Sequence, residues 1–426
     1  MSAERTALLP DRRPDELPDE LPDELPAAPP RVPPSEAELL ASALRPAWVD
    51  VDLDALLGNV VTLRSRLGGA RLLAVVKADG YGHGAIGVSR ALEAAGVDWL
   101  GVALLEEGAE IRRAGIDLPI LVLGTARPEW LALYRRYELT PAISSLAELA
   151  LWRDWTAGGA APQDFHLKVD TGMSRLGVDP SDVARALDLA RSSPRLRLAG
   201  ILSHFANADD LESPRNDLQE ERFRDVLALL TPAERGAIEI HMANSAAALH
   251  RPSSRNTLVR VGIGVYGLDP AEGSGGPSGL KPVMSLVARI VSVRDVPEGT
   301  PLSYGGRTVT ARPSRIAVVP VGYADGYGWR LTGRAEALVG GRRVPVAGSV
   351  TMDMTLLDVT DVGAEVGDEA VLLGRRGSEE ITAAELARHA GTISWEILCH
   401  LGLRLPRRYL RGGRLDHIAS RFSRED

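Results

Sequence analysis

The sequence predicts an α/β architecture, a (β/α)8 barrel of the TIM type followed by a smaller, mainly β C-terminal domain. Three observations predict it. Eight strand-like apolar runs lie between residues 72 and 263, mostly separated by helical stretches, which is the count for such a barrel. A Gly/Pro/Ser-rich segment, 267–279, then interrupts the pattern. Beyond it, short alternating runs between 284 and 375 are broken by Pro-Glu-Gly and Gly-Gly turns, as in a small β domain. A doubly wound open sheet is the alternative, but the dinucleotide fingerprint G-x-G-x-x-G between a strand and a helix is not convincing here.

Residues 1–45 are proline-rich and contain the repeat Pro14-Asp-Glu-Leu-Pro-Asp-Glu-Leu-Pro-Asp-Glu-Leu-Pro26. Proline at every fourth position forbids a helix and the charge forbids a core, so a disordered or extended tail is expected. Order begins at Trp48, where Trp48-Val-Asp-Val-Asp-Leu-Asp54 alternates like a half-buried strand and a helix follows to about Leu67. The eight strands are expected at 72–77, 99–104, 119–124, 140–143, 165–170, 197–204, 238–243 and 258–263. Helices are expected at 86–95, 105–114, 145–155, 181–192 and 215–230. In the second domain, strands are expected at Ser285–Val293, Arg315–Pro320 and Glu369–Leu373, with a helix at 382–390. The domains are therefore read as a tail, 1–45, a barrel, 46–283, and a β domain, 284–426.

Composition narrows the function. A formal net charge of −8 provides no basic surface for nucleic acid and argues against anionic membranes. One cysteine, Cys399, excludes an intrachain disulfide and fits a reducing cytoplasm. No apolar run has the length of a membrane span, and the N-terminus lacks a signal-peptide core. Of 49 basic residues only three are lysines, Lys77, Lys168 and Lys281. Arginine supplies charge but cannot form an imine, so each remaining lysine is a candidate for amine chemistry.

The organising stretch is Leu72-Leu-Ala-Val-Val-Lys77-Ala-Asp-Gly-Tyr81-Gly-His-Gly84. An apolar strand ends on a lysine and breaks into a glycine loop that leads into a helix. Such a loop offers N–H groups to an anion. An amine beside it suits a Schiff-base lysine holding a phosphorylated aldehyde, although a lysine capping a strand is the plainer alternative. In a barrel, catalytic groups gather at the C-terminal strand ends. There the sequence supplies Lys77 and Tyr81, then Lys168-Val-Asp-Thr-Gly-Met-Ser-Arg175, Ser203-His204-Phe205, His241-Met-Ala-Asn244-Ser245 and Arg260-Val-Gly262-Ile263.

With those residues assembled, the chain resembles the alanine racemase family from about Arg45 to Arg411. The motifs are A-V-V-K-A-D-G-Y-G-H-G, K-V-D-T-G-M-S-R-L-G, A-N-S-A-A and the Ser-Tyr-Gly at residue 304. The resemblance implies a pyridoxal 5'-phosphate enzyme with no metal, interconverting L- and D-alanine to supply D-alanine for peptidoglycan. It implies a homodimer with shared active sites, and a first strand near Trp48 that packs with the C-terminal domain. Lys77 would hold the cofactor as an imine and act as one base. Tyr304 of the partner subunit would be the other, assisted by His204 and Arg175. Arg175 would also meet the substrate carboxylate, and Lys168 matches a position that is carbamylated (N6-carboxylysine) in many members. Arg260 would face the pyridine nitrogen. Tyr81, Asn244, Ser245, Gly262, Ile263 and Trp395 would surround the cofactor and its phosphate. Met352 of the partner subunit would line the substrate pocket, with Tyr323 and Asp353 at its entrance.

Three positions depart from the pattern. Trp395 stands where the family usually has tyrosine, and Thr351 and Met354 replace the usual Cys and Gln beside Met352-Asp353. Serine and broad-spectrum racemases share this scaffold, so they form the alternative substrate reading. A non-catalytic cofactor-binding barrel and a barrel-type decarboxylase are rivals. The first lacks a β domain, and the second uses a cysteine where Ser303-Tyr304-Gly305 stands here. A cofactor-free binding barrel is the last.

Overall fold

The structure is a computed structural model describing residues 45–420 apart from 159–161 and 272–277. Residues 1–44 of the proline-rich tail and 272–277 of the Gly/Pro/Ser segment lie outside the described residues. Eight parallel strands form one sheet: β2 (Arg71–Val75), β3 (Trp99–Val102), β4 (Ile120–Val122), β5 (Leu139–Ile143), β6 (Gln163–Lys168), β7 (Leu196–Leu202), β8 (Glu239–His241) and β9 (Leu258–Val261). Its order runs β8-β7-β6-β5-β4-β3-β2-β9. The two ends meet: the Arg260 N–H donates to Ala243 O at 3.0 Å and Thr257 N–H to Ile240 O at 3.1 Å, closing the barrel.

These strands are buried on both faces, which is why they read as continuous apolar runs rather than alternating ones. The helices between them cover the outside with single apolar stripes. Val183–Arg191 is typical, burying Val183, Ala186, Leu187 and Ala190 at helical spacing. Several strands are shorter than the sequence suggests. The strand expected at 72–77 ends at Val75, and that expected at 238–243 ends at His241. Their last residues belong instead to loops at the barrel mouth.

The second sheet runs β11-β14-β17-β16-β15-β18-β10-β1-β20-β21 with β19 on β18. Its strands are β1 (Ala47–Asp52), β10 (Met284–Arg289), β11 (Ser292–Val296), β14 (Ser314–Val319), β15 (Glu336–Val339), β16 (Arg342–Ala347), β17 (Thr355–Asp358), β18 (Glu369–Arg376), β19 (Glu379–Ile381), β20 (Arg407–Arg411) and β21 (Arg414–Ala419), and a separate short ladder pairs β12 (Pro301–Leu302) with β13 (Thr308–Val309). The single strand expected at Ser285–Val293 is two, β10 in the middle of this sheet and β11 at its edge. β1 lies inside it, antiparallel to β10 and parallel to β20, with Val49 opposite both Leu286 and Arg407. The chain thus threads the C-terminal sheet before entering the barrel. One continuous apolar core joins β1, the barrel and the sheet. The helix Ser394–His400 and the hairpin of β20 and β21 were not expected.

Candidate active site

Lys77 opens a turn that no run of ordinary residues adopts freely. Ala78, Asp79 and Gly80 have φ of 53°, 52° and 62°, and Tyr81 has 53°. Left-handed backbone costs an L-residue about 1–2 kcal/mol, so three non-glycine residues store strain here. The turn's amides are spent within it or close by. Gly80, Gly82, His83 and Gly84 donate to Val76, Ala78, Gly80 and Asp79 carbonyls. Ala78 N–H goes to Glu107 Oε1 at 2.7 Å, and Ala85 N–H, opening the next helix, goes to Asp79 Oδ1 at 2.9 Å. The expectation that this loop's N–H groups form an anion site is therefore corrected. The loop positions Lys77 and Tyr81, and its Ala78, Gly80, Gly82, His83 and Gly84 amides are already engaged.

A second set of polar groups lies across the barrel mouth. Ser245 Oγ accepts Gly262 N–H at 3.0 Å and Gly264 N–H at 3.2 Å. With both lone pairs engaged, its own proton is left to donate outward. The Tyr81 hydroxyl sits where a Cβ on residue 262 would stand, which is why Gly262 admits it. Ile263 follows Gly262 in the same turn. Asn244 caps the short helix Ser245–His250, its Oδ1 accepting Ala247 N–H at 3.1 Å.

Inside the barrel lies a chain of rings ordered by one guanidinium. Arg260, 4% exposed, donates to Ser203 O (2.7 Å), His204 Nδ1 (2.9 Å), His241 O (3.0 Å), His241 Nδ1 (3.1 Å) and Met242 O (3.2 Å). Arginine has no acceptor, so both Nδ1 atoms accept. Burial, then Arg260, pulls the pKa of His204 and His241 well below the usual value, so both rings are neutral and carry their proton on Nε2. His241 Nε2 meets His166 Nδ1 at 2.8 Å, which extends the same polarity to His166. Burial lowers the Arg260 pKa too, yet a guanidinium keeps its charge in proteins.

The mouth is cationic. The Lys77 pKa is lowered by burial and then by Arg175. Lys168, 7% exposed, is pulled down to about 8 by burial, then Arg175, Arg260 and Lys77. Asp170, whose Oδ1 accepts the amides of Gly172 and Met173 at 2.9 and 2.8 Å, pulls the other way but is the weakest of these influences. Among the described residues, neither lysine nor Arg175 forms an ion pair with a carboxylate. Such a mouth can hold anions, and its lysines are inclined toward the neutral amine.

Tyr304 lies elsewhere. Ser303, at φ 57°, presents it on a tight turn fixed by Ser303 Oγ to Ser349 O (2.9 Å) and Ser349 Oγ to Tyr304 O (3.2 Å). Its side chain is 79% exposed. It lines an open cavity of about 600 Å³ with Tyr323, Met352, Asp353 and Trp329, and Lys77 is not among the lining residues. Asp353 receives the Arg404 guanidinium at 2.6 Å. Trp395 is half-buried on the helix Ser394–His400, which packs against the Lys77 turn. The structure thus brings Lys77, Tyr81, Lys168, Arg175, His204, Ser245, Arg260, Gly262 and Ile263 to one mouth, and sets Tyr304, Tyr323, Met352 and Asp353 on another surface. Sequence reading left out His166 and gave His241 no role. The signal for His166 was its position two residues before Lys168, on the same strand face.

A closed barrel with a lysine just beyond its first strand, joined to a threaded β domain, is the architecture expected of a barrel-type amino-acid racemase. Residues 51–270 match the family model "Alanine racemase, N-terminal domain" and residues 283–409 match "Alanine racemase, C-terminal domain". The alanine racemase of Symbiobacterium thermophilum is 46% identical over 371 residues, 86% of this chain and 97% of the relative. That of Synechocystis is 42% identical over 364 residues, covering 85% and 98%. Among solved structures, alanine racemase from Bacillus anthracis with bound L-Ala-P superposes with a TM-score of 0.82 at 33% identity, covering 89% of this chain and 98% of that one. The enzyme from Streptomyces lavendulae gives 0.80 at 38% identity, covering 86% and 98%. The chain belongs to the alanine racemase family.

Proposed function

We propose that the chain is a pyridoxal-phosphate-dependent alanine racemase, working in the cytoplasm as a homodimer with two bases, Lys77 and Tyr304 of the partner subunit. Its product would supply D-alanine for peptidoglycan. The observation that carries this reading is the cluster of Lys77, Lys168, Arg175 and Arg260 around a mouth where, among the described residues, no carboxylate forms an ion pair with them. It suits an anionic cofactor and an amino-acid carboxylate. We read 46–283 as the cofactor barrel and 284–426 as the β domain.

The residues fit the cofactor. The outward-pointing Ser245 proton, the Tyr81 hydroxyl and the Gly262–Ile263 turn would hold a phosphate. Asn244 supports that turn by capping the neighbouring helix, and Trp395 flanks the Lys77 turn. Arg260 would hold the pyridine nitrogen with a donor that it cannot surrender as a proton, which keeps the ring a moderate electron sink. Bound pyridoxal phosphate supplies the electron withdrawal that makes the substrate α-proton removable.

This chain's residues do the rest. Lys77, inclined to lose its proton, takes or returns one at its Nζ on one face. The phenol of the partner subunit's Tyr304 does so on the other, since inversion requires opposite faces. A phenol is a weak base with a free pKa near ~10. The neutral His204, whose Nε2 carries its proton, can donate to a phenolate and favour it. Arg175 binds the substrate carboxylate. Lys168 as a carbamate would give Arg175 an anionic partner and orient it. Tyr323, Met352 and Asp353 would shape the entrance, again from the partner subunit.

Purified enzyme given L-alanine, L-serine and other L-amino acids, with products resolved by chiral chromatography, tests the reaction and its substrate together. No D-product from any of them would overturn it. Trp395 beside the Lys77 turn favours a second reading, a serine or broad-spectrum racemase, which the same experiment separates.

A further inference from the structure

The Lys77 turn satisfies its amides nearby, but its carbonyls are held from outside. Gly82 O accepts two N–H groups of Arg407, at 2.9 and 3.2 Å. His83 O and Gly84 O receive the Tyr409 hydroxyl at 3.0 and 3.3 Å. Arg407 and Tyr409 both lie on β20, more than 300 residues later in the chain. Both side chains are buried, and they alternate with the more open Arg408 and Leu410. The remaining Arg407 donors are aimed at Leu401 O (2.5 Å), Gly402 O (2.6 Å) and Leu405 O (2.7 Å), the turn that leads into β20. β20 is itself fixed between β1 and β21. The contact is close enough that a Cβ at Gly82, φ 80°, would strike the Leu398 carbonyl oxygen.

We propose that Arg407, with Tyr409, forms a positioning pair that sets the course of the Lys77 turn and so aims the Lys77 amine. Successive left-handed residues persist only where surroundings over-determine them. A planar fork with five donors can hold carbonyls from two chain segments at once, while a lysine at the same place is a single flexible donor. The C-terminal sheet would then determine the direction of the barrel's reactive lysine. This inference rests on the reading of Lys77 as the cofactor-bearing residue.

The test uses the holoenzyme and the variants Arg407→Lys and Tyr409→Phe. Three quantities are read: amide hydrogen exchange over residues 78–84, circular dichroism of the visible cofactor band, and kcat with KM. Faster exchange at 78–84, altered dichroism with the absorbance retained, and kcat lower by about 10²-fold in Arg407→Lys are expected. Tyr409→Phe should move the same readouts less, with KM little changed in either. A folded Arg407→Lys with faster exchange only at 401–409, and with parental dichroism and kcat, would overturn the proposal. If Arg407→Lys does not fold, Tyr409→Phe, which removes one hydroxyl, decides by the same criteria. A parent enzyme without a Lys77-dependent visible band would overturn the cofactor reading instead. Exchange at 78–84 would then judge the positioning pair alone.

Discussion

The barrel mouth and the surface around Tyr304 are built in opposite ways. At the mouth, polar groups are buried and oriented before any ligand arrives. Arg260 fixes the tautomers of His204 and His241, the Lys77 turn is strained and held, and the lysines are inclined toward neutrality. Around Tyr304, large apolar side chains stand in the open, Tyr304 at 79% exposure, Met352 at 54% and Tyr323 at 44%. Isolated exposed apolar residues are ordinary, but a cluster rimmed by polar groups marks a contact surface. The contrast teaches a division of labour. If two copies share their sites, as proposed, one half is complete within a chain and the other meets its partners on the second copy.

The largest effect belongs to Lys77. Lys77→Arg keeps the charge and removes the amine that can bond covalently to an aldehyde, so the visible cofactor band and racemisation should both be lost. A variant retaining both would break the account of the mouth.

Next is the exposed half. Tyr304→Phe should lower racemisation about 10²–10⁴-fold in both directions, the usual contribution of a general acid–base group. The visible band should survive, because the mouth remains intact. Mixing inactive Lys77→Arg and Tyr304→Phe chains should restore activity if sites are shared, since one mixed site carries both native residues. No recovery after exchange of subunits would place both bases in one chain.

The two halves were also unequally legible in the sequence. The mouth could be read because parallel strands announce themselves as apolar runs, and five of the eight end on residues with distinct chemistry. The loop glycines misled, because a glycine gap looks the same whether it admits a phosphate or, as at Gly82, a carbonyl from the C-terminal helix. The hairpin of β20 and β21 was hidden by composition. Arg407-Arg-Tyr-Leu-Arg411 reads as a solvated tail, yet Arg407 is inward and buried. A buried arginine satisfied by carbonyls leaves no apolar alternation to detect. Gly412-Gly413 was the available hairpin signal. The family resemblance, not periodicity, anticipated that β1 would join the far sheet.

Lys168 tests whether the mouth's charge excess is functional. Its pKa of about 8 lies below the ~10.4 of an exposed lysine. Between these values the unfolded chain binds more protons than the folded one, so this lysine makes stability rise with pH across that window. Its cost is fully present below about pH 8. Carbamylation requires the neutral amine, so with bicarbonate present the modified fraction, read by intact mass, should rise as pH passes 8. Lys168→Ala should lower kcat by up to about 10²-fold through misplacement of Arg175. Added acetate should recover part of it by supplying an anion. An unmodified mass at every pH would leave Lys168 as an unmodified lysine.

The smallest expected effect concerns Trp395, the residue that departs from the family pattern on the helix that packs against the Lys77 turn. Tyrosine at this position would offer a hydroxyl that both donates and accepts, while an indole offers one donor at a different reach. A hydrogen bond to a charged group contributes roughly 1.5–3 kcal/mol. The Ser245 proton, the Tyr81 hydroxyl and the turn at Gly262 would still grip a phosphate, so the native enzyme should hold its cofactor less tightly without losing it. The indole is also bulkier than a phenol, and at such a position it would reshape the wall beside the substrate side chain. Trp395→Tyr should therefore lower the cofactor dissociation constant by about 10- to 150-fold and raise the alanine-to-serine ratio of kcat/KM. The measurement pairs a cofactor titration of the apo-protein with racemisation rates for both amino acids. If both quantities match the parent, tryptophan is a neutral replacement and substrate choice lies with Thr351, Met354 and the partner-facing surface instead.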